Sequence, residues 1–261
     1  MKIAMLGIGE AGRTIAADLI AAGVIVSGWD PEPKQIPPGV IFATGNAEAA
    51  QQADLILSIN LAAAATDVAY NVLPILTPQQ LFAEINTASP QTKRRVADIL
   101  QPSGALVADA ALMAPVPLRG LKTSVLVSGP GAQRFHTLMT PLGMPVTVLD
   151  EQVGTAATRK LIRSIAYKGI AAVVVECLAA AEPLGLEDYA RQQLLTLLPN
   201  EAMIDRFVEG SRTHAVRRSR EMEAVAALLE EIGVPSYTTT AALEQLKALS
   251  ALPNETTSDL E

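Results

Sequence analysis

Three groups of residues in this chain have the types and spacing to do chemistry. The first is Gly7-Ile8-Gly9-Glu10-Ala11-Gly12, a G-x-G-x-x-G run. Glycines so spaced admit a tight turn, let the backbone approach a pyrophosphate and allow close helix–strand packing, while the first helical N–H groups face the phosphates. Asp30 follows at the distance expected of the acid that holds the ribose hydroxyls of NAD. No arginine succeeds it, and Pro31-Glu32 offers nothing to a 2′-phosphate, so NAD is expected over NADP. The second group is a stripe of Lys160, Arg163, Ser164 and Tyr167 at helical spacing, with Lys168 slightly off it. Crowded cations suit an anion, and they also ease the loss of a proton from Lys160. A neutral lysine can take the proton of a substrate hydroxyl while hydride leaves for NAD. An ordinary solvated helix face would carry the same stripe, but a dinucleotide motif upstream favours the chemistry. The third group follows Ser211, which reads as a helix N-cap. His214, Arg217, Arg218 and Glu221 then share a face. That face either helps bind a substrate anion, in one subunit or across a dimer, or is a solvated surface with an Arg217–Glu221 pair.

Positioning these groups requires two kinds of architecture. Short apolar runs at Lys2–Leu6, Val24–Trp29, Val40–Ala43, Asp54–Ile59, Leu81–Ile85, Ala105–Ala108, Ser124–Ser128 and Val146–Leu149 read as strands. Helical patterns at Glu10–Ala22, Ala47–Gln52, Ala62–Leu76, Pro90–Leu100 and Ala132–Thr140 alternate with them. This rhythm predicts an α/β domain over residues 1–150, a Rossmann-type doubly wound parallel sheet. Beyond Gly154 the strand signals stop, and Thr155–Glu182 is one long helical pattern. Helices at Leu186–Leu198, Glu201–Glu209, Ser211–Ile232 and Thr238–Leu249 complete an all-α domain over 151–252, leaving a polar, acidic tail at 253–261 that is expected to be flexible.

The bulk properties narrow the function. A net charge of −7 opposes general nucleic-acid binding. Cys177 is the single cysteine, which excludes an intrachain disulfide and suits the cytoplasm. With His136 and His214 as the only histidines, no metal site is expected. The apolar run Ile170–Ala181 is broken by Glu176 and is too short to span a bilayer, so no membrane association is expected. Cys177 reads as a small buried hydrophobe.

Taken with Asn86-Thr-Ala-Ser-Pro90, Ala108-Asp-Ala-Ala-Leu-Met-Ala-Pro115 and Lys160-Leu-Ile-Arg-Ser-Ile-Ala-Tyr-Lys-Gly169, these motifs resemble the β-hydroxyacid dehydrogenase superfamily, which includes 6-phosphogluconate and 3-hydroxyisobutyrate dehydrogenases. The chain is most similar to its short 6-phosphogluconate-dehydrogenase-like members of unassigned function. The resemblance implies that Lys160 is the catalytic lysine, that Thr87 lies beside the nicotinamide, that Ser58–Asn60 run along the cofactor, and that the helical domain forms a homodimer. It also implies two departures. Ser164 stands where the family has Asn, and Met113-Ala114-Pro115 replaces a Ser-Gly-Gly substrate loop, so Met113 and Ala114 would line a different pocket. The expected activity is hydride transfer between NAD and a small anionic β-hydroxy acid, with Lys160 as general base and Ser164 orienting the substrate. Arg163 and Lys168 would attract its charge. An imine or keto reductase of the same architecture, or a non-catalytic dinucleotide sensor, are the alternatives.

Overall fold

The computed structural model describes residues 1–251, so the tail at 253–261 lies outside the described residues. It divides into two compact units, Met1–Lys160 and Leu161 onward. That division falls ten residues beyond the boundary drawn at 150, because the first turn of the long helix is tied to the sheet.

The first unit contains eight strands, β1 (Lys2–Leu6), β2 (Ile25–Trp29), β3 (Ile41–Phe42), β4 (Leu55–Ser58), β5 (Leu81–Glu84), β6 (Leu106–Leu112), β7 (Val125–Ser128) and β8 (Val146–Val148). Helices α1 (Glu10–Ala21), α2 (Asn46–Ala50), α3 (Ala65–Val72), α4 (Pro90–Leu100) and α5 (Ala132–Met139) alternate with them. The sheet order is β3-β2-β1-β4-β5-β6-β7-β8. Successive side chains of a strand point to opposite faces, and both faces here are covered. Ile3 and Met5 join Ile15 and Leu19 of α1 and Phe135 of α5. Ala4 and Leu6 join Ala49 of α2, Val68 of α3 and Val96 of α4. This is the doubly wound arrangement that the continuous apolar runs require.

One pairing departs from an all-parallel sheet: β7 runs antiparallel to β6. A parallel return needs a crossover helix, and Met113–Ser124 supplies only the short 3-10 turns Val116–Leu118 and Gly120–Lys122. Asp18 of α1 pins this connection by accepting from the Leu121 N–H at 2.8 Å.

Helix α6 (Thr155–Ala181) crosses from the first unit into the second, which continues with α7 (Glu187–Leu195), α8 (Glu201–Thr213), α9 (Ala215–Glu231) and α10 (Tyr237–Ala251). Leu161 packs with Met222, Val225 and Leu229 of α9 and Leu246 of α10. Further along, Ala171 and Val174 meet Leu194 of α7 and Ile204 and Phe207 of α8. Half-buried Cys177 belongs to this second cluster as an apolar filler. Two expectations are corrected here. Ser211 is no N-cap: α8 runs on to Thr213 and the helix is interrupted at His214, leaving Ser211 buried. The apolar stretch around α6 is also longer than the run Ile170–Ala181. By length and composition, Thr155–Leu184 could cross a membrane, although 28% of its most apolar window is buried within the protein.

Candidate active site

Ligands of open α/β sheets sit at the C-terminal strand ends where the order reverses, which here is between β1 and β4. The glycine motif leaves β1 at that point. Gly7 adopts φ +109°, and its N–H donates to the Trp29 carbonyl at 2.8 Å. A Cβ on Gly12 would lie 2.1 Å from the Gly7 carbonyl oxygen, so α1 can pass this close to β1 only without one. Gly9 differs, because a Cβ there would meet nothing within 4 Å. Its bareness serves no internal packing and leaves the loop edge open. Gly9 is the N-cap of α1 and no side chain caps the helix, so its first N–H groups, from Glu10 and Ala11 onward, can receive phosphate oxygens. The chain thus fits a dinucleotide on structural grounds. Asp30 sits at the end of β2, half-buried, with Oδ2 accepting from the Ile8 N–H at 2.7 Å and Oδ1 from the Glu32 N–H at 2.9 Å. Its second pair of acceptor sites remains for ribose hydroxyls, and the first holds the loop in shape.

After β4 and β5 the loops are locked by amides. Asn60 donates its backbone N–H to Asn86 Oδ1 at 2.6 Å, and Asn86 Nδ2 returns to Asn60 Oδ1 at 2.9 Å. Asn86 also donates to both oxygens of Glu84, at 3.2 Å from its backbone and 3.0 Å from Nδ2. Ser58, expected along the cofactor, is fully buried, and its hydroxyl accepts from Asn60 Nδ2 at 3.1 Å. Its side chain supports Asn60 and hydrogen-bonds the Glu84 carboxylate.

Thr87 follows this clasp, and Lys160 donates from Nζ to Thr87 Oγ1 at 2.7 Å. The helix turn that carries the lysine is capped by buried groups of the sheet. Asp109 of β6, completely buried, accepts through Oδ2 from the N–H groups of Gly154 (3.1 Å) and Ala157 (3.0 Å). Ser128 of β7 accepts from Ala156 N–H at 3.1 Å and donates to Asp109 Oδ2 at 3.4 Å. Two strands therefore cap α6 from outside its own sequence, offsetting orphan N–H groups and the positive helix end together. Asp109 Oδ1 faces the buried Lys93 ammonium of α4 at 3.2 Å as an ion pair, without hydrogen-bond geometry. Lys93 also donates to the Glu84 carbonyl at 2.7 Å and lies 3.6 Å from Glu84 Oε1. Burial pushes the Glu84 carboxyl above its ordinary range; Lys93 opposes that shift and Asp109 adds to it.

The remaining expected residues separate into two places. At the end of β6, Met113 donates its N–H to the Ser124 carbonyl at 2.9 Å, and Met113 and Ala114 are half-buried. In the helical unit, Ser164 is 2% exposed and donates to Glu221, whose Oε1 also takes the Lys168 ammonium at 2.6 Å. Lys168 further donates to Ser164 at 3.1 Å. The Ser164 hydroxyl, expected to orient a substrate, has its proton committed to this internal carboxylate. Lys168 is not an open anion attractor either. Desolvation depresses its ammonium, with Arg218 and Arg217 adding to the effect and Glu221 opposing it. Arg163 and Arg217 are exposed and His214 is half-buried at the α8–α9 break, whereas Arg218 is buried. The expected single face on α9 is therefore split, with Arg218 and Glu221 turned inward. An isolated acid within an apolar strand, as in Leu106–Leu112 or Leu81–Glu84, was the available signal for the buried network.

Residues 2–130 match the NAD-binding domain of 6-phosphogluconate dehydrogenase, and residues 181–249 match a domain of unknown function, DUF1932. An uncharacterized 28.5 kDa protein of Methanothermus fervidus is 26% identical over 234 residues, 85% of this chain and 88% of that protein. A probable 3-hydroxyisobutyrate dehydrogenase of Mycobacterium bovis is 25% identical over 202 residues, 74% of this chain and 68% of that one. A conserved hypothetical protein from Sinorhizobium meliloti superposes with a TM-score of 0.77 at 27% identity, covering 99% of this chain and 91% of the other. Imine reductases of Myxococcus stipitatus, in complexes with NAD+ and NADP+, share the fold at TM-scores of 0.64 and 0.61 and 18% identity.

Proposed function

We propose, from the match of residues 2–130 to the NAD-binding domain of 6-phosphogluconate dehydrogenase and the similarity to a probable 3-hydroxyisobutyrate dehydrogenase, that the chain is a dehydrogenase moving hydride between NAD and a small anionic β-hydroxy acid. The observation that carries this reading is the Lys160 ammonium fixed on Thr87 beside the C-terminal end of β5. The bound nicotinamide supplies a hydride acceptor there. The chain's own residues do the rest. Uncapped N–H groups of α1 and the open edge at Gly9 hold the pyrophosphate, and Asp30 holds the ribose. In oxidation Lys160, neutral, takes the hydroxyl proton on Nζ as the carbon gives up hydride; in reduction the same ammonium returns it. Thr87 aims Nζ, and the Asp109–Ser128 cap fixes the helix turn that carries it. Glu32 after Asp30 supports NAD over NADP, since a 2′-phosphate would meet a like charge.

We further assign the exposed apolar stripe of α6, with Ile162 58%, Ile170 46% and Val173 62% exposed, to a second copy of the chain. Lipid suits it less, because the same helix carries Lys160, Arg163 and Lys168. An imine or keto reductase is the second reading, favoured by the shared fold of the Myxococcus enzymes and disfavoured by the lysine at the proton-transfer position. Lys160→Met decides. NADH fluorescence titration should be unchanged while NAD-linked oxidation of a β-hydroxy-acid panel disappears. Turnover that persists refutes the base assignment. NADH binding with no turnover of any hydroxy acid, ketone or imine would leave a sensor.

A further inference from the structure

The two basic groups that the sequence presents on separate helices converge in the helical unit on one aromatic ring. Around Tyr167 of α6 lie the guanidinium carbons of Arg163 (5.8 Å), Arg206 (5.9 Å) and Arg218 (5.6 Å) and the Lys168 ammonium (5.6 Å). They come from α6, α8 and α9 in turn. Phe207 backs the ring edge-on at 5.0 Å. Lys168 and Arg218 are 9% and 7% exposed, and among the described residues Glu221 is the one acid buried in this unit. That carboxylate is already shared between Lys168 and Ser164. Arg218 is held by a neutral partner, donating to Ser211 Oγ at 3.0 Å. Room for its guanidinium is built into α8: a Cβ on Gly210 would fall 2.2 Å from Arg218 Nη2. Desolvation depresses the arginine and Arg217 adds to that effect, while Tyr167 and Glu221 oppose it.

Stability alone is a poor reason to gather these charges. Buried ionic groups are often no more stabilising than apolar residues of the same volume. A glycine inside a helix costs about 1 kcal/mol relative to alanine. What the arrangement does offer is three guanidinium groups and an ammonium gathered within 5.9 Å of one ring, a concentration of charged donors that suits a multiply charged anion.

We propose that Arg218, Arg206 and Arg163 around Tyr167 bind a phosphoryl or second carboxylate group of a small polyanionic ligand, with the Lys168–Glu221 pair fixed beside them. The identification of that ligand as the substrate rests on the dehydrogenase reading; the anion site itself does not. Calorimetric titration of the full chain with inorganic phosphate and with citrate, at constant ionic strength, tests the site. Running it with and without saturating NADH separates this site from the pyrophosphate loop. Saturable binding is expected with NADH present, weakened about tenfold in Arg206→Gln and again in Gly210→Ala, whose methyl displaces the guanidinium. Arg218→Lys keeps the charge and should retain part of the affinity if Arg218→Gln fails to fold. Preference for phosphate identifies a phosphoryl ligand, and preference for citrate a polycarboxylate. Absence of saturable binding, or binding unaltered in both Arg206→Gln and Gly210→Ala, overturns the proposal. Loss of NADH binding would instead strike the dehydrogenase reading and leave the anion result standing.

Discussion

Asp109→Asn tests whether the sheet's buried charges hold α6 in place. The substitution preserves shape, and one amide oxygen can still accept from Gly154 and Ala157. The amide NH2 then faces the Lys93 ammonium, which the carboxylate met at 3.2 Å. Removing one partner of a buried pair costs about 3–5 kcal/mol, because the other charge is left without compensation. Against a whole stability of about 5–15 kcal/mol this is a large loss. Lys93→Met should cost a similar amount, leaving Glu84 and Asp109 facing each other. Combining the two should cost about as much as the worse single change, a coupling of roughly 2 kcal/mol or more. Urea unfolding followed by Trp29, the only tryptophan, reads the first unit directly. An Asp109→Asn cost under about 1 kcal/mol, or single-variant costs that simply add, would refute the reasoning.

Other outcomes follow from the same geometry. Gly9→Ala should leave the unfolding midpoint unchanged and weaken NADH binding, whereas Gly12→Ala should disrupt the loop itself, since its methyl meets the Gly7 carbonyl. Equal effects of the two on stability would contradict the assigned roles. Glu84 binds its proton more readily in the folded chain than in the unfolded one. Its contribution is thus present below the ordinary carboxylate value of 4.5 and is lost as pH rises through the higher folded value. The unfolding free energy of the wild type relative to Glu84→Gln should fall with pH across that window; a flat difference speaks against it. Ile170→Glu on α6 should convert a dimer to a monomer in light scattering, and an unchanged mass would reject the self-association surface.

Much of the first unit was legible because parallel strands covered on both faces are written as continuous apolar runs. All eight runs became strands, and the glycine motif landed at the switch between β1 and β4. The reversal of β7 was not legible, since no local signal distinguishes a loop that crosses over from one that turns back. Lys93 was hidden for a different reason. In Pro90–Leu100 it stands beside Arg94 and Arg95, and nothing local tells a buried ammonium from two exposed neighbours. Helical periodicity found Arg218 and Glu221 but placed them on one open face with His214 and Arg217, because one helix cannot reveal which face its partners cover. Arg206 and Gly210 were unremarkable until α8 was placed against Tyr167.

The outside capping of α6 bears on how such a protein could exchange parts. A recombination joint drawn at the end of the last strand would strand Asp109 and Ser128 without the amides they serve and would discard the lysine. The inheritable module ends about one and a half turns into the helix, so any new helical partner must be grafted in phase onto a rod already started by its host.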